Sequence, residues 1–117
     1  MELEAFEGYI NEAIAMVPAH IRAKMVNVAF VVNDTDLGNL LGMYTGIPLP
    51  RRNQGYSGVL PDKITIFQKT IEAVASDNPA QVRQLVINTV HHEIAHYFGF
   101  NEAKVRSWEK KRAGKKS

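Results

Sequence analysis

Residues 91–102 read His-His-Glu-Ile-Ala-His-Tyr-Phe-Gly-Phe-Asn-Glu. Within them, His92, Glu93 and His96 form an H-E-x-x-H pattern. Histidines four apart on a helix lie one turn from each other on one face, so both imidazoles can reach one Zn²⁺. Glu93 stands beside them, placed to reach water at the metal rather than the metal itself. Gly99 follows His96 by three residues, and Glu102 follows Gly99 by three. Glycine accepts positive φ at little steric cost, so it can stop the helix and turn the chain back. That turn makes Glu102 the candidate third ligand. Three protein ligands leave one zinc position open, as a catalytic site requires. The chemistry expected is peptide-bond hydrolysis through a zinc-bound water, with Glu93 as general base.

The ligand set also follows from what is missing. The chain has 117 residues and no cysteine, so neither disulfides nor thiolate ligands are available and zinc must use His and carboxylate. Hydrophobic residues make up 45% and charged residues 22%, the balance of a folded domain with one modest core. A single domain over 1–112 and a basic tail over 113–117 are expected. No stretch has the apolar length of a membrane span. The N-terminus, Met1-Glu2-Leu3-Glu4, is acidic where an export signal is basic, so a cytoplasmic location is expected. Residues 103–117 hold seven Lys and Arg against Glu109, a local +6 that leaves −4 elsewhere in a chain of net +2. Such a tail can touch nucleic acid, but no aromatic interleaving accompanies the charges, and a solvated helix end is the simpler reading. Neither nucleic acid nor a membrane is an expected partner.

The elements that must position the motif are legible in outline. Leu3, Phe6, Ile10, Ala13, Ile14 and Val17 form one face of a helix over 2–17, ended by Pro18. Residues 25–33 alternate as a strand partly covered on both faces, and Asn33-Asp34-Thr35-Asp36 is turn chemistry. A shorter strand is expected over 40–45, then an irregular polar loop over 46–62, then a strand over 63–68. Residues 70–75 are helical or irregular. Asp77-Asn78-Pro79 caps a helix of about 20 residues carrying Val82, Leu85, Val86, Val90, Ile94, Tyr97 and Phe98 as its apolar stripe. Its many β-branched residues lower intrinsic helicity, so it needs burial to form. Asn101 can cap a last helix over about 102–112.

The motif His92-Glu93-x-x-His96-x-x-Gly99-x-x-Glu102 resembles the zincin superfamily and, by its glycine and third-ligand spacing, the metzincins. The metzincin third ligand is usually His and occasionally Asp; here Glu102 holds that place. Residues 40–49 (Leu-Leu-Gly-Met-Tyr-Thr-Gly-Ile-Pro-Leu) and 60–67 (Leu-Pro-Asp-Lys-Ile-Thr-Ile-Phe), with the motif, are similar to a family of small bacterial zincin-like proteins, or minimal metalloproteases. The resemblance covers roughly 3–110. It implies an α/β (α+β) zincin-like fold: a small mixed sheet of about three to four strands on an N-terminal helix and a long active-site helix, plus a short C-terminal helix. It implies no particular substrate.

The chain departs from metzincins in lacking their methionine turn. Met1, Met16, Met25 and Met43 all precede the motif. The implied site is therefore shallow, or completed by a protein partner, or that of a specialised hydrolase. Two alternatives to a peptidase stand beside it: a metal-binding module acting through a partner with little turnover, and a metal-dependent hydrolase of a non-peptide substrate. His91, about 100° round the helix from His92, reads as a polar surface or boundary residue, the alternative being support of a ligand or substrate. His20 is expected to be exposed. Tyr44 and Tyr56 read as packing residues, although tyrosines in several zincins bond the tetrahedral intermediate. Either 41–45 or 63–68 is the edge strand that pairs with substrate.

Overall fold

The computed structural model describes residues 1–34, 39–46 and 61–99. The elements are α1 (Leu3–Ala15), α2 (Ala19–Arg22), β1 (Val28–Asn33), β2 (Gly42–Thr45), β3 (Asp62–Phe67), α3 (Gln68–Val74) and α4 (Pro79–Tyr97). The strands form one mixed sheet in the order β1-β3-β2. β1 runs parallel to β3, with Phe30 opposite Ile64. β2 runs antiparallel to β3, with Tyr44 opposite Ile64. This is the small α+β arrangement expected from the sequence. The expected helix over 102–112 lies outside the described residues, as does Tyr56.

β3 is central and its composition shows it. Ile64, Thr65, Ile66 and Phe67 are all buried, so both faces of the strand are covered. β1 is an edge strand with one packed face. Val28, Phe30 and Val32 rest on the core, while Val31 is exposed, so the expected cover on its second face is incomplete. β1 also starts later than alternation suggests. Residues 25–27 are irregular instead: the Met25 N–H closes a turn on Arg22 C=O, and Asn27 bends the chain with φ 62. The short helix α2 was not legible in the sequence, because four residues are too few to show a period.

α4 is the helix the sequence predicts. The Asn78 side chain accepts from the N–H groups of Ala80 (3.0 Å) and Gln81 (3.2 Å), and Pro79 opens the first turn. Val82, Val86, Ile87, Val90 and Ile94 are essentially inaccessible. Each such side chain contributes about 1.5–3 kcal/mol of hydrophobic stabilisation. That offsets the low intrinsic helicity of a β-branched segment. α3 and α4 are joined by a left-handed pair, Ser76 and Asp77, whose N–H groups return to Ala73 and Glu72 carbonyls and close α3.

α1 packs across α4 through Phe6, Ile10, Ala13 and Val17, all buried as the stripe requires; Leu3, expected on that face, is exposed. At the rim of this contact, Arg83 grips the Glu12 carboxylate through two nitrogens, Nε at 3.0 Å from Oε1 and Nη2 on Oε2. The hydrogen bond from Arg83, reinforced by its charge, holds the Glu12 carboxyl below its ordinary value of 4.5. A carboxyl lowered on folding adds stability above its unfolded pKa and loses it as pH falls through the folded one. Both side chains are well exposed, so the effect is small and screened by salt. In denaturant melts at low salt, wild type should exceed Glu12→Gln in stability at neutral pH. The gap should close as pH falls below 4.5 and narrow in high salt.

Candidate metal site

The last two turns of α4 carry the motif, and the helix sets its geometry. His92 and His96 are half-buried on one face, their ring centroids 4.8 Å apart and the rings inclined by 68°. With Glu93, which is buried, they offer ligand atoms all within 4.8 Å of one another. Zn–N bonds of about 2.0–2.1 Å in a tetrahedral site set two nitrogens about 3.4 Å apart. Small side-chain rotations bring the two imidazoles to that spacing, so the donor set fits a divalent metal of zinc's preferences. The helix ends as the glycine implies: Gly99 takes φ 79 and its N–H returns to His96 C=O at 2.9 Å. Glu102 lies outside the described residues.

His91 is not the surface or boundary residue that the sequence suggests. It is 3% exposed, and its Nε2 lies 2.8 Å from Ala13 C=O. The reason lies at the C-terminus of α1. There Met16 N–H takes Glu12 C=O and Val17 N–H takes Ile14 C=O, passing over Ala13. A helix leaves its last carbonyls without intrahelical donors, and His91 supplies one. Because a carbonyl only accepts, Nε2 carries the proton. Arg22 does the same for Val17 C=O at 3.0 Å. His91 thus fixes how α4 is rotated against α1, and with it the direction in which His92 and His96 face. His20 is exposed, as expected.

On the far side, β2 lies against α4 at Gly42. A Cβ there would come within 2.6 Å of Thr89 Cγ2, 3.2 Å of Thr65 C=O and 3.3 Å of Glu93 Cγ. Only glycine lets the strand approach the helix this closely. Thr89 precedes Glu93 by one turn, so the strand rests on the helix at the motif itself. An isolated glycine within a strand pattern is a sign of such an approach, and it was the available signal for this contact. Thr89, one of several β-branched residues in α4, carries no such signal of its own.

Beside this contact a cleft of about 240 Å³ opens, bounded by Asn39, Leu40, Leu41, Gly42, Thr89, His92 and Glu93. Of the two candidate edge strands, β2 borders it, and β3 is interior. Tyr44 does not reach into the cleft. Its hydroxyl donates to Asp62 Oδ2 at 2.6 Å, and its ring meets Tyr97 edge-on at 6.1 Å. Tyr97, wholly buried one residue after His96, accepts from Val26 N–H at 3.3 Å.

A long buried helix, a mixed three-stranded sheet and a His-Glu-His cluster beside the sheet's edge define an α+β domain built around a metal site. Over residues 22–112 the sequence matches the model of the zincin-like metallopeptidase family, and the chain belongs to that family. Comparison with curated proteins gives no match. The family implies a metal, typically zinc, and the His92, Glu93 and His96 group can hold one.

Two substitutions separate the supports from the ligands. His91→Phe leaves Ala13 C=O buried without its donor and should cost about 1–3 kcal/mol in denaturant melts, while bound metal by mass spectrometry stays stoichiometric. Gly42→Ala should lower stability by about 1–3 kcal/mol through overpacking. Adding Thr89→Ser removes the methyl that the new Cβ meets, so the double variant should recover most of the loss in a thermal melt.

Proposed function

We propose that this protein is a zinc-dependent peptidase. The observation that carries the reading is the position of the His92-Glu93-His96 cluster at the end of a cleft bordered by an edge strand. Zinc would be held by His92 and His96, with Glu102 as third ligand, and would supply Lewis acidity toward water and the scissile carbonyl.

The chain's own groups account for the rest. β2 offers the substrate a backbone template. Phe67 N–H donates to Leu41 C=O, which makes Leu41 a hydrogen-bonded pair with Phe67. The alternation of antiparallel ladders then turns the N–H and C=O of Gly42 away from β3. An extended peptide laid on that side gains main-chain hydrogen bonds and brings its carbonyl to the cluster. Glu93 is the general base. Its carboxylate takes the proton of the water that attacks the carbonyl carbon. As the C–N bond breaks, Glu93 delivers that proton to the departing nitrogen, which leaves as the neutral amine. The burial of Glu93, with β2 against its Cγ, limits its rotamers and keeps the carboxylate aimed at the cluster.

The test is the zinc-loaded protein on a broad peptide mixture, with zinc measured beside cleavage. Glu93→Gln should keep its zinc and lose at least about 100-fold in rate. His92→Ala and His96→Ala should lose both zinc and cleavage. Undiminished cleavage by Glu93→Gln would remove Glu93 from the chemistry, and an absence of cleavage by the loaded wild type would overturn the peptidase reading.

A further inference from the structure

β1 is the sheet's other edge, and its backbone turns a row of hydrogen-bonding groups outward. Asp62 N–H donates to Asn27 C=O at 3.0 Å, which fixes the phase of the parallel ladder with β3. Ala29 and Val31 therefore turn their N–H and C=O groups to β3, and Val28, Phe30 and Val32 turn theirs to the open edge. Among the described residues, no strand pairs with that edge. Natural sheets protect an open edge with charge, proline, a bulge or brevity. β1 has none of these. It runs Val-Ala-Phe-Val-Val-Asn over six residues, in unbroken register with β3. On the face away from α4, Val31 is 37% exposed.

The charges beside the strand select its partner. Lys24 precedes β1, Asp34 follows it, and both are exposed. Two antiparallel copies of this segment bring the Lys24 end of each to the Asp34 end of the other, whereas parallel copies set like against like. We propose that β1 pairs antiparallel with β1 of a second copy, about a two-fold axis at Phe30, giving a six-stranded sheet in the order β2-β3-β1-β1-β3-β2. In this register Phe30 meets the second copy's Phe30, and Val28 meets its Val32. Three pairs each exchange two hydrogen bonds, so every outward group of both strands is satisfied. A shift of two residues either way sets a strand residue against Val26 or Asp34, both outside the strand. On the outer face, each Val31 packs on the small Ala29 of the other copy and lies diagonal to the other Val31. The contact is isologous and closes on itself, so it uses up the edge that would otherwise extend. β2 stays outermost at both ends, which leaves each metal cluster open.

Sedimentation velocity of the full chain over a concentration series tests the pairing. Wild type should sediment as a dimer that dissociates on dilution. Val31→Lys and Val31→Glu alter an exposed side chain, so each should keep the wild-type circular dichroism spectrum and zinc content. Each alone puts two like charges on the diagonal and should weaken dimerisation about tenfold or more. An equimolar mixture of the two should form dimers again, because Lys then lies beside Glu, and high salt should reduce that recovery. Mixing cannot restore a lost fold, so recovery reports the interface itself. A wild type that is monomeric at every concentration overturns the proposal. So does a dimer indifferent to both substitutions, or a pair of folded variants that stay apart when mixed.

Discussion

The burial of α4 is the constraint on which the rest of the structure depends. A helix with Val86, Ile87, Thr89, Val90 and Ile94 in succession is a poor helix in water. It forms here because α1 covers one side and the sheet another, with Val82, Val86, Val90 and Ile94 locked between them. The same packing fixes its rotation. Once Val90 and Ile94 point into the core, His92 and His96 must face the remaining open side, because side chains two residues away lie about 200° round. The His92, Glu93 and His96 cluster is thus oriented by residues outside it. His91 and Arg83 complete that orientation from the α1 side, one capping a carbonyl and the other pairing Glu12.

The parts of this fold that were legible in the sequence are the local ones. Asn78-Pro79 announced the start of α4 and Gly99 its end, because caps and left-handed turns depend on residues a few positions apart. The H-E-x-x-H spacing carried the cluster for the same reason. Strand order did not read out, since β1 pairs with β3 and skips β2, the next strand in sequence, and alternation within a strand says nothing about its neighbours. His91 read as a boundary residue because its acceptor, Ala13 C=O, lies 78 positions away and is a backbone group with no sequence signature. Gly42 carried a usable signal, a lone glycine in a strand pattern, but the element it approaches could not be named from the sequence.

Two tyrosines extend the same logic to the end of the motif. Tyr97 continues α4 past His96 into the core, where its hydroxyl accepts from the Val26 N–H at the turn before β1. Tyr44, on β2, lays its ring edge-on against Tyr97 and its hydroxyl on Asp62 at the start of β3. Gly46 leaves room for that pair: a Cβ there would come within 2.5 Å of the Asp62 carboxylate carbon. The helix terminus, the edge strand and the central strand therefore meet at one aromatic and hydrogen-bonded junction. β2 is held at two points, Gly42 on Thr89 and Tyr44 on Tyr97, eight residues apart along α4 and so roughly two turns. A strand fixed twice against a helix cannot slide along it, which keeps the cleft in register with the cluster.

This arrangement divides the site into two halves with different supports. The imidazoles of His92 and His96 are half-buried on one face of α4, their rings against each other. Glu93 is buried, and its Cγ lies close under the position where β2 has no side chain. The spacing of the two imidazoles is set within α4 itself, and the direction in which they face by its packing on α1. The aim of the carboxylate depends on β2, set from the sheet. Displacing β2 by one methyl group would disturb the second without undoing the first. Among the described residues one hydrophobic core serves both tasks. α4 lies between α1 and the sheet, and each face of that helix supports one half of the site.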